Sequence, residues 1–224
     1  MSTKRSYADG CAAAHALDLV GERWALLVVR ELLLGPKRFS GLRRGLPGAA
    51  PNVIAQRLRD LEAAGVVRRR TLPPPVASQV YELTAWGLEL EPVVRALGRW
   101  GSRSPGMDHD APLSVDALVL AMRTLFAPGR AAGLDATYAL RVDDDAFTAT
   151  VGGGEFRIVR GTGPADVAVT AAGTVLNEVI WGDQDLGAAV DDGLVRLDPD
   201  TEAARRFFDL FPLPEPAAPA GAGR

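Results

Sequence analysis

Between Ala12 and Val20 the apolar positions fall at helical spacing, and Gly21 breaks the run before WALLVVRELLLG. That second stretch spreads Trp24, Leu27, Val28 and Leu32 around most of a helix, so it is expected to be buried, and Gly35-Pro36 stops it. Ser40 stands where an N-cap belongs, ahead of GLRRGL, a helix of about one and a half turns closed by Pro47-Gly48. Pro51 suits the first position of PNVIAQRLRDLEAAG, in which Ile54, Leu58 and Leu61 form one inward stripe and Gly65 supplies the C-terminal cap. Two short helices joined by a Pro/Gly turn, the second with a single narrow stripe, have the sequence form of a helix-turn-helix. The period then changes to extended: VVRRRTL and QVYELT flank the proline-rich PPPVAS, a β-hairpin of the kind called a wing. AWGLELEPVVRALGRWG recovers helical spacing through Leu88, Val93 or Val94, Leu97 and Trp100, with Pro92 expected to kink it. Its broad apolar face suits a partner subunit, with Trp86 and Trp100 as anchors; folding back over its own core is the alternative.

GSRSPGMDHDAP reads as a linker and places domain boundaries at residues 1–104, 105–112 and 113–212. Beyond it LSVDALVLAMRTLF is an amphipathic helix, and ATYALRV, AFTATV and EFRIVRG alternate as strands, broken at Asp143–Asp145 and Gly152–Gly154. DVAVTA is a further strand, AAGTVLNEVIWG and DLGAAVDDG are short helices, LVRLD is a last strand and TEAARRFFDLF a terminal helix. The expected fold class of this half is α+β, a small sheet covered by helices. Residues 213–224 are Pro/Ala/Gly-rich and are expected to be disordered.

Charge divides the chain as the pattern does. Residues 1–104 carry 16 Lys+Arg against 9 Asp+Glu, a net +7, and residues 105–224 carry 9 against 19, a net −10. A basic first half suits a polyanion, and an acidic second half does not. One cysteine, Cys11, excludes an intrachain disulfide, and with His15 and His109 it cannot build a His/Cys zinc site. The longest charge-free apolar run is WALLVV, far short of the roughly twenty residues that span a bilayer, and Asp18 and Glu22 spoil the N-terminus as a signal peptide. A cytoplasmic protein without membrane contact, metal or cofactor is expected. No G-x-S-x-G and no G-x-x-x-x-G-K occurs, and VGGGE lies between two strands rather than before a helix, so no enzyme is expected. The Asp143, Asp144 and Asp145 triplet reads as a solvated turn rather than a metal site.

Nucleic acid is the better-founded partner. Asn52, Val53, Gln56 and Arg57, with Arg59 and Asp60 further along, lie off the Ile54/Leu58/Leu61 stripe, and Asn, Gln and Arg match the base edges of the major groove. Lys37, Arg38, Ser40, Arg43 and Arg44 precede that helix, where they would meet phosphates. Arg68, Arg69 and Arg70 open the wing and alternate in direction, so two of the three can face DNA together.

The stretch from Cys11 to about Trp100, through GERWALLVVRELLLGPKRFSGLRRGLPGAAPNVIAQRLRDLEAAGVVRRR and VYELTAWG, resembles the HxlR family of bacterial winged-helix regulators, relatives of the MarR group. The resemblance implies a homodimer that offers two recognition helices to a pseudo-palindromic site on double-stranded DNA, joined through its first and last helices. Ala50 departs from the Ser or Thr that the family usually places before the proline of the recognition helix, which removes an N-cap hydrogen bond. Cys11 falls where similar regulators carry a cysteine that in some senses oxidants; as a residue type usually buried, it is expected to be a packed thiol rather than a switch. Residues 113–212 more weakly resemble the sterol carrier protein-like fold, which implies an apolar tunnel. Met122, Phe126, Phe147, Phe156, Trp181 and Phe207 are the candidates to line it and to hold a small apolar or aromatic effector, although each taken singly is more often plain core. The alternatives are that this half only enlarges the dimer interface, or that the chain is a lipid or small-molecule carrier, or an enzyme built on that domain, whose first half serves for dimerisation.

Overall fold

The structure is a computed structural model that describes residues 6–73, 77–108, 111–199 and 201–218. It divides into two compact units, Met1–Val94 and Arg95–Arg224.

The first unit contains α1 (Ala12–Val20), α2 (Ala25–Leu32), α3 (Phe39–Gly45), α4 (Pro51–Ala63), β1 (Val67–Thr71), β2 (Gln79–Leu83), α5 (Ala85–Leu88) and the start of α6 (Glu91–Gly101). Val28, Val29, Leu32, Leu42, Ile54, Leu58, Leu61, Val67 and Val80 are buried and make its core. Strands β1 and β2 pair antiparallel with Arg68 opposite Glu82. The Lys37 and Tyr81 backbones exchange hydrogen bonds of 2.9 and 2.8 Å, which fastens the segment before α3 to the wing. The wing's expected tip falls partly on residues 74–76, outside the described residues.

Three local expectations are corrected. Arg38, not Ser40, occupies the N-cap of α3, so the Ser40 hydroxyl stands inside the first turn and no side chain caps that helix. AWGLELEPVVRALGRWG is two helices rather than one kinked helix. Pro92 sits in the first turn of α6, where a missing N–H leaves no bond unmade. Trp24 precedes α2 in the left-handed region, at φ 76, an unusual place for a bulky side chain. Its ring lies against the turn between α3 and α4, where a Cβ on Gly48 would come within 3.1 Å of it.

The second unit contains the rest of α6, α7 (Val115–Leu125), β3 (Ala136–Val142), β4 (Asp145–Gly152), β5 (Glu155–Arg160), β6 (Val167–Ala171), α8 (Gly173–Trp181), α9 (Leu186–Asp191), β7 (Val195–Asp198) and α10 (Glu202–Arg206), with 3-10 turns at Pro128–Ala131 and Phe207–Leu210. The five strands lie in the order β5-β4-β3-β6-β7, antiparallel except that β6 runs parallel to β3. Alternation sets the faces: Tyr138, Leu140, Val142, Phe147, Ala149, Val151, Val167 and Val169 are buried, while Arg141, Thr150, Arg157 and Thr170 are exposed on the other side. The division between units falls at Val94, ahead of the expected linker, because the second half of α6 belongs with α7. Arg95 donates to the Arg123 carbonyl at 2.6 Å and Arg99 to that of Thr124 at 3.4 Å, satisfying carbonyls in the last turn of α7. Asp145 begins β4 and Asp143 accepts a hydrogen bond from the Gly173 amide at 3.2 Å, so the aspartate triplet is only partly a loop. Residues 213–218 have no regular structure, and the Ala217 amide donates to the Arg103 carbonyl at 2.7 Å.

Candidate nucleic-acid interface

Helix α4 carries its buried stripe, Ile54, Leu58 and Leu61, toward the core, and at about 100° per residue the opposite face must hold Asn52, Gln56 and Arg59. All three are exposed, and Val53 is half-buried at the margin. Gln56 is bonded on both sides: its Nε2 donates to Asp60 at 2.8 Å, and its Oε1 accepts from Arg59 Nη2 at 2.6 Å.

Arg57 is not on that face. Its side chain is only 17% exposed, and Nη1 lies 3.3 Å from both Glu22, in the turn before α2, and Asp60. Its Nε is buried without a hydrogen-bond partner. Arg57 is therefore corrected from a base-facing candidate to an internal tie between α4 and the α1–α2 turn. Lys37 is corrected as well. Its ammonium lies 2.7 Å from Glu31, a carboxylate with no exposed surface, which also accepts from Arg30 at 2.9 Å. Glu31 went unnoticed in the sequence, and Gly45 follows from it, because a Cβ there would stand 2.1 Å from the Glu31 Oε2.

The remaining cations ring α4. Arg43 and Arg44 are exposed, and with Ser40, Pro47, Ala49, Ala50 and Pro51 they line a recess of about 500 Å³. Ala50 is the N-cap of α4 and offers no side-chain acceptor, so the first amides of that helix lack a side-chain cap. Guanidinium groups beside the positive end of a helix dipole favour an anion. Arg38 is exposed and donates to the Ser78 hydroxyl of the wing at 3.0 Å. Arg68 and Arg70 share one side of the wing and both pair with Glu82 at 2.8 Å. Arg69 turns the other way, to Glu62 at 2.9 Å and over the Tyr81 ring at 5.4 Å. Glu82 can neutralise one of the Arg68 and Arg70 charges, which leaves a net positive side.

Cys11 is exposed, which corrects the expectation of a packed thiol. It is the N-cap of α1, and the backbone amides of Ala14 and Ala13 hold its thiol below the usual cysteine range.

Of the six tunnel candidates, Phe126, Phe156 and Phe207 meet in an aromatic cluster with Tyr138, Phe208 and Phe211. Phe126 stacks on Phe156 at 5.4 Å, and Phe156 meets Phe211 edge-on at 5.1 Å. Trp181 joins by donating from Nε1 to the Phe211 carbonyl at 2.7 Å. Met122 is fully buried on α7. Phe147 is not in the cluster; it lies under the Arg160 guanidinium at 4.7 Å, and Arg160 also pairs with buried Asp116 at 2.7 Å and with Asp145. The Tyr138 hydroxyl donates to the Ala203 carbonyl at 2.9 Å, and burial pushes its phenol up to about 12. Among the described residues no group of three or more His, Cys, Asp or Glu could hold a metal ion, and no helix is long and apolar enough to cross a membrane.

Four helices followed by a two-stranded ribbon, with a basic recess at the start of the fourth helix, define the first unit as a winged helix-turn-helix module. Residues 19–108 match the HxlR-like helix-turn-helix family. The chain is 38% identical over 92 residues to the uncharacterized HTH-type transcriptional regulator sll1512 of Synechocystis, covering 41% of this chain and 68% of that one. It is 36% identical over 87 residues to the HTH-type transcriptional regulator YvaP of Bacillus subtilis, covering 39% of this chain and 81% of that one. A solved structure of the reduced form of the transcriptional regulator YodB from B. subtilis is 31% identical and covers 43% of this chain and 95% of that one, with a TM-score of 0.39. The chain belongs to the HxlR-like helix-turn-helix family of transcriptional regulators.

Proposed function

We propose that the protein is a homodimeric regulator that binds a pseudo-palindromic site on double-stranded DNA, with α4 in the major groove. The observation that carries this reading is the exposed stripe Asn52, Gln56 and Arg59 on α4, flanked by Arg43 and Arg44 on one side and by Arg68 and Arg70 on the wing. Base-reading side chains on a helix face, ringed by phosphate-binding cations, are the minimum a groove reader needs. Dimerisation is assigned to α6, which has no buried residue and carries Val93, Leu97 and Trp100 exposed at i, i+4 and i+7. The second unit is assigned a sterol carrier protein-like fold, with Phe126, Phe156 and Trp181 at the half-exposed side of the aromatic cluster as the place for a small apolar effector. An effector acts on DNA only through different affinities for the DNA-competent and incompetent arrangements. The net −10 of residues 105–224 supplies one such difference if the ligand moves that charge relative to the phosphates.

The test is a gel shift of the full chain on its own upstream DNA and on random DNA across a salt series. Affinity should fall steeply with salt for both, with the upstream DNA retained to the higher concentration. A chain that retains neither at low salt would refute DNA binding. A second reading, regulation through the thiol, is favoured by one observation: Cys11 is exposed, with its thiolate stabilised by two helix amides. DNA binding that is indifferent to alkylation of Cys11 would remove it.

A further inference from the structure

A continuous series of polar contacts crosses α4 from its inner flank to its outer face. Glu22 lies 3.3 Å from Arg57 Nη1, and the same Nη1 lies 3.3 Å from Asp60 Oδ2. Asp60 Oδ1 accepts from Gln56 Nε2 at 2.8 Å, and Gln56 Oε1 accepts from Arg59 Nη2 at 2.6 Å. The inner end is 17% exposed at Arg57, whereas Gln56 and Arg59 are exposed. Each link fixes the next. Asp60 accepts the Gln56 amide, so Gln56 presents its oxygen to Arg59, and Arg59 is held by one Nη2 hydrogen while its other donors stay available.

We propose that Arg59 is the guanine-reading residue of this regulator and that Glu22, Arg57, Asp60 and Gln56 are the positioning residues that aim it. This rests on α4 being the groove-reading helix. A guanidinium fork matches the O6 and N7 acceptors of guanine, and a fork already oriented loses less freedom on docking than a loose one. Gln56 has its amide nitrogen and oxygen each engaged once, to Asp60 and to Arg59, which fixes its orientation and turns its oxygen to the fork. Asn52 lies seven residues before Arg59, about 10 Å along the helix axis. It is exposed and reads an adenine roughly three base pairs from that guanine when α4 follows the groove.

The experiment selects a site for the full chain from random DNA, then replaces each guanine of the half-site in turn with 7-deazaguanine, which lacks the N7 acceptor. One guanine per half-site should be sensitive, losing about ten- to a hundredfold in affinity. Arg59→Gln should abolish that sensitivity and move the preference at the same position toward adenine. Gln56→Met should reduce the sensitivity several-fold while the melting temperature of the first unit stays within about 3 °C of the unsubstituted chain, a split that mere loss of folding cannot produce. Arg57→Gln should act in the same direction and more weakly. A sensitive guanine that survives Arg59→Gln but disappears in Arg57→Gln would overturn the assignment, since Arg57 would then swing out and read. Unchanged guanine sensitivity in Gln56→Met would overturn the positioning chain. If Gln56→Met instead loses a preference for adenine and keeps the guanine, Gln56 reads a base itself and the chain is again refuted. Failure of the unmodified chain to retain random DNA at low salt would remove the groove-reading premise, a result distinct from all of these.

Discussion

Substituting Glu31 by Gln tests whether the buried ion cluster organises the helix-turn-helix. The carboxylate has no exposed surface and holds Arg30 at 2.9 Å and Lys37 at 2.7 Å, whose side chains are 20% and 16% exposed. Removing one partner of a buried pair costs about 3–5 kcal/mol when the charges left behind stay buried. Both cations here keep a path to water, so solvent screening should bring the loss down to about 2–3 kcal/mol. In a unit of this size that lowers the melting temperature of the corresponding transition by roughly 10–20 °C. Calorimetry on the full chain reads it, and the second unit's transition should stay where it was. The cause is checked by a double-mutant cycle. Lys37→Met should cost clearly less in the Glu31→Gln background than alone, because the charge that Lys37 meets at Glu31 is already gone. A shift under about 3 °C, or strictly additive effects of the two substitutions, would refute the claim that Glu31 fastens Lys37, and with it the wing, to α2.

Three further outcomes follow from the site. Arg43→Ala and Arg44→Ala should each weaken all DNA alike and reduce the slope of log affinity against log salt by about 1, whereas Asn52→Ala should leave that slope unchanged and alter sequence preference; fluorescence anisotropy over a salt series separates them. Trp100→Glu, on the uncovered face of α6, should shift the sedimentation coefficient from dimer to monomer at micromolar protein, and an unchanged value would place the dimer contact elsewhere. Helix amides lower the Cys11 thiol in the folded chain, so its alkylation rate should rise with pH through a midpoint below that of the same thiol in urea; equal midpoints would refute the amide contribution.

The α+β half was legible as elements because each strand alternates. On β3, Ala136, Tyr138, Leu140 and Val142 are buried and Thr137, Ala139 and Arg141 are not, the pattern that a one-sided sheet writes into sequence. What alternation cannot convey is position along the strand. Phe147 and Phe156 share the covered face, yet Phe147 stands opposite Arg160 while Phe156 stands opposite Val151. Four residues of strand, about 13 Å, separate those levels, so Phe156 joins the aromatic cluster and Phe147 meets a guanidinium. The end of the chain differs for a related reason. Phe207, Phe208, Leu210 and Phe211 are all buried, more apolar positions than one stripe of an α-helix can present to one neighbour, and the backbone tightens to a 3-10 turn there.

The helix-turn-helix was read from its stripe, its Pro/Gly turn and its wing, and the misplacement of Arg57 shows how much further that stripe could be pressed. At about 100° per residue, Arg57 lies about 70° from the centre of the Ile54/Leu58/Leu61 stripe, and Arg59 about 130°. Being off the stripe is therefore not the same as being opposite it. A long cationic side chain on the flank can bury its stem and reach an internal acid, and Glu22, one turn before α2, is the acid that meets it. The Lys37 error has the opposite origin. Nothing in the spacing marks Glu31 as buried, since charged residues on helices are exposed by default; only Gly45, small enough to admit the carboxylate, records it in sequence. Both corrections move charge from the presumed DNA face into the frame beneath it. They leave Arg43, Arg44 and Arg59 as the cations about which the recess and the helix face are built.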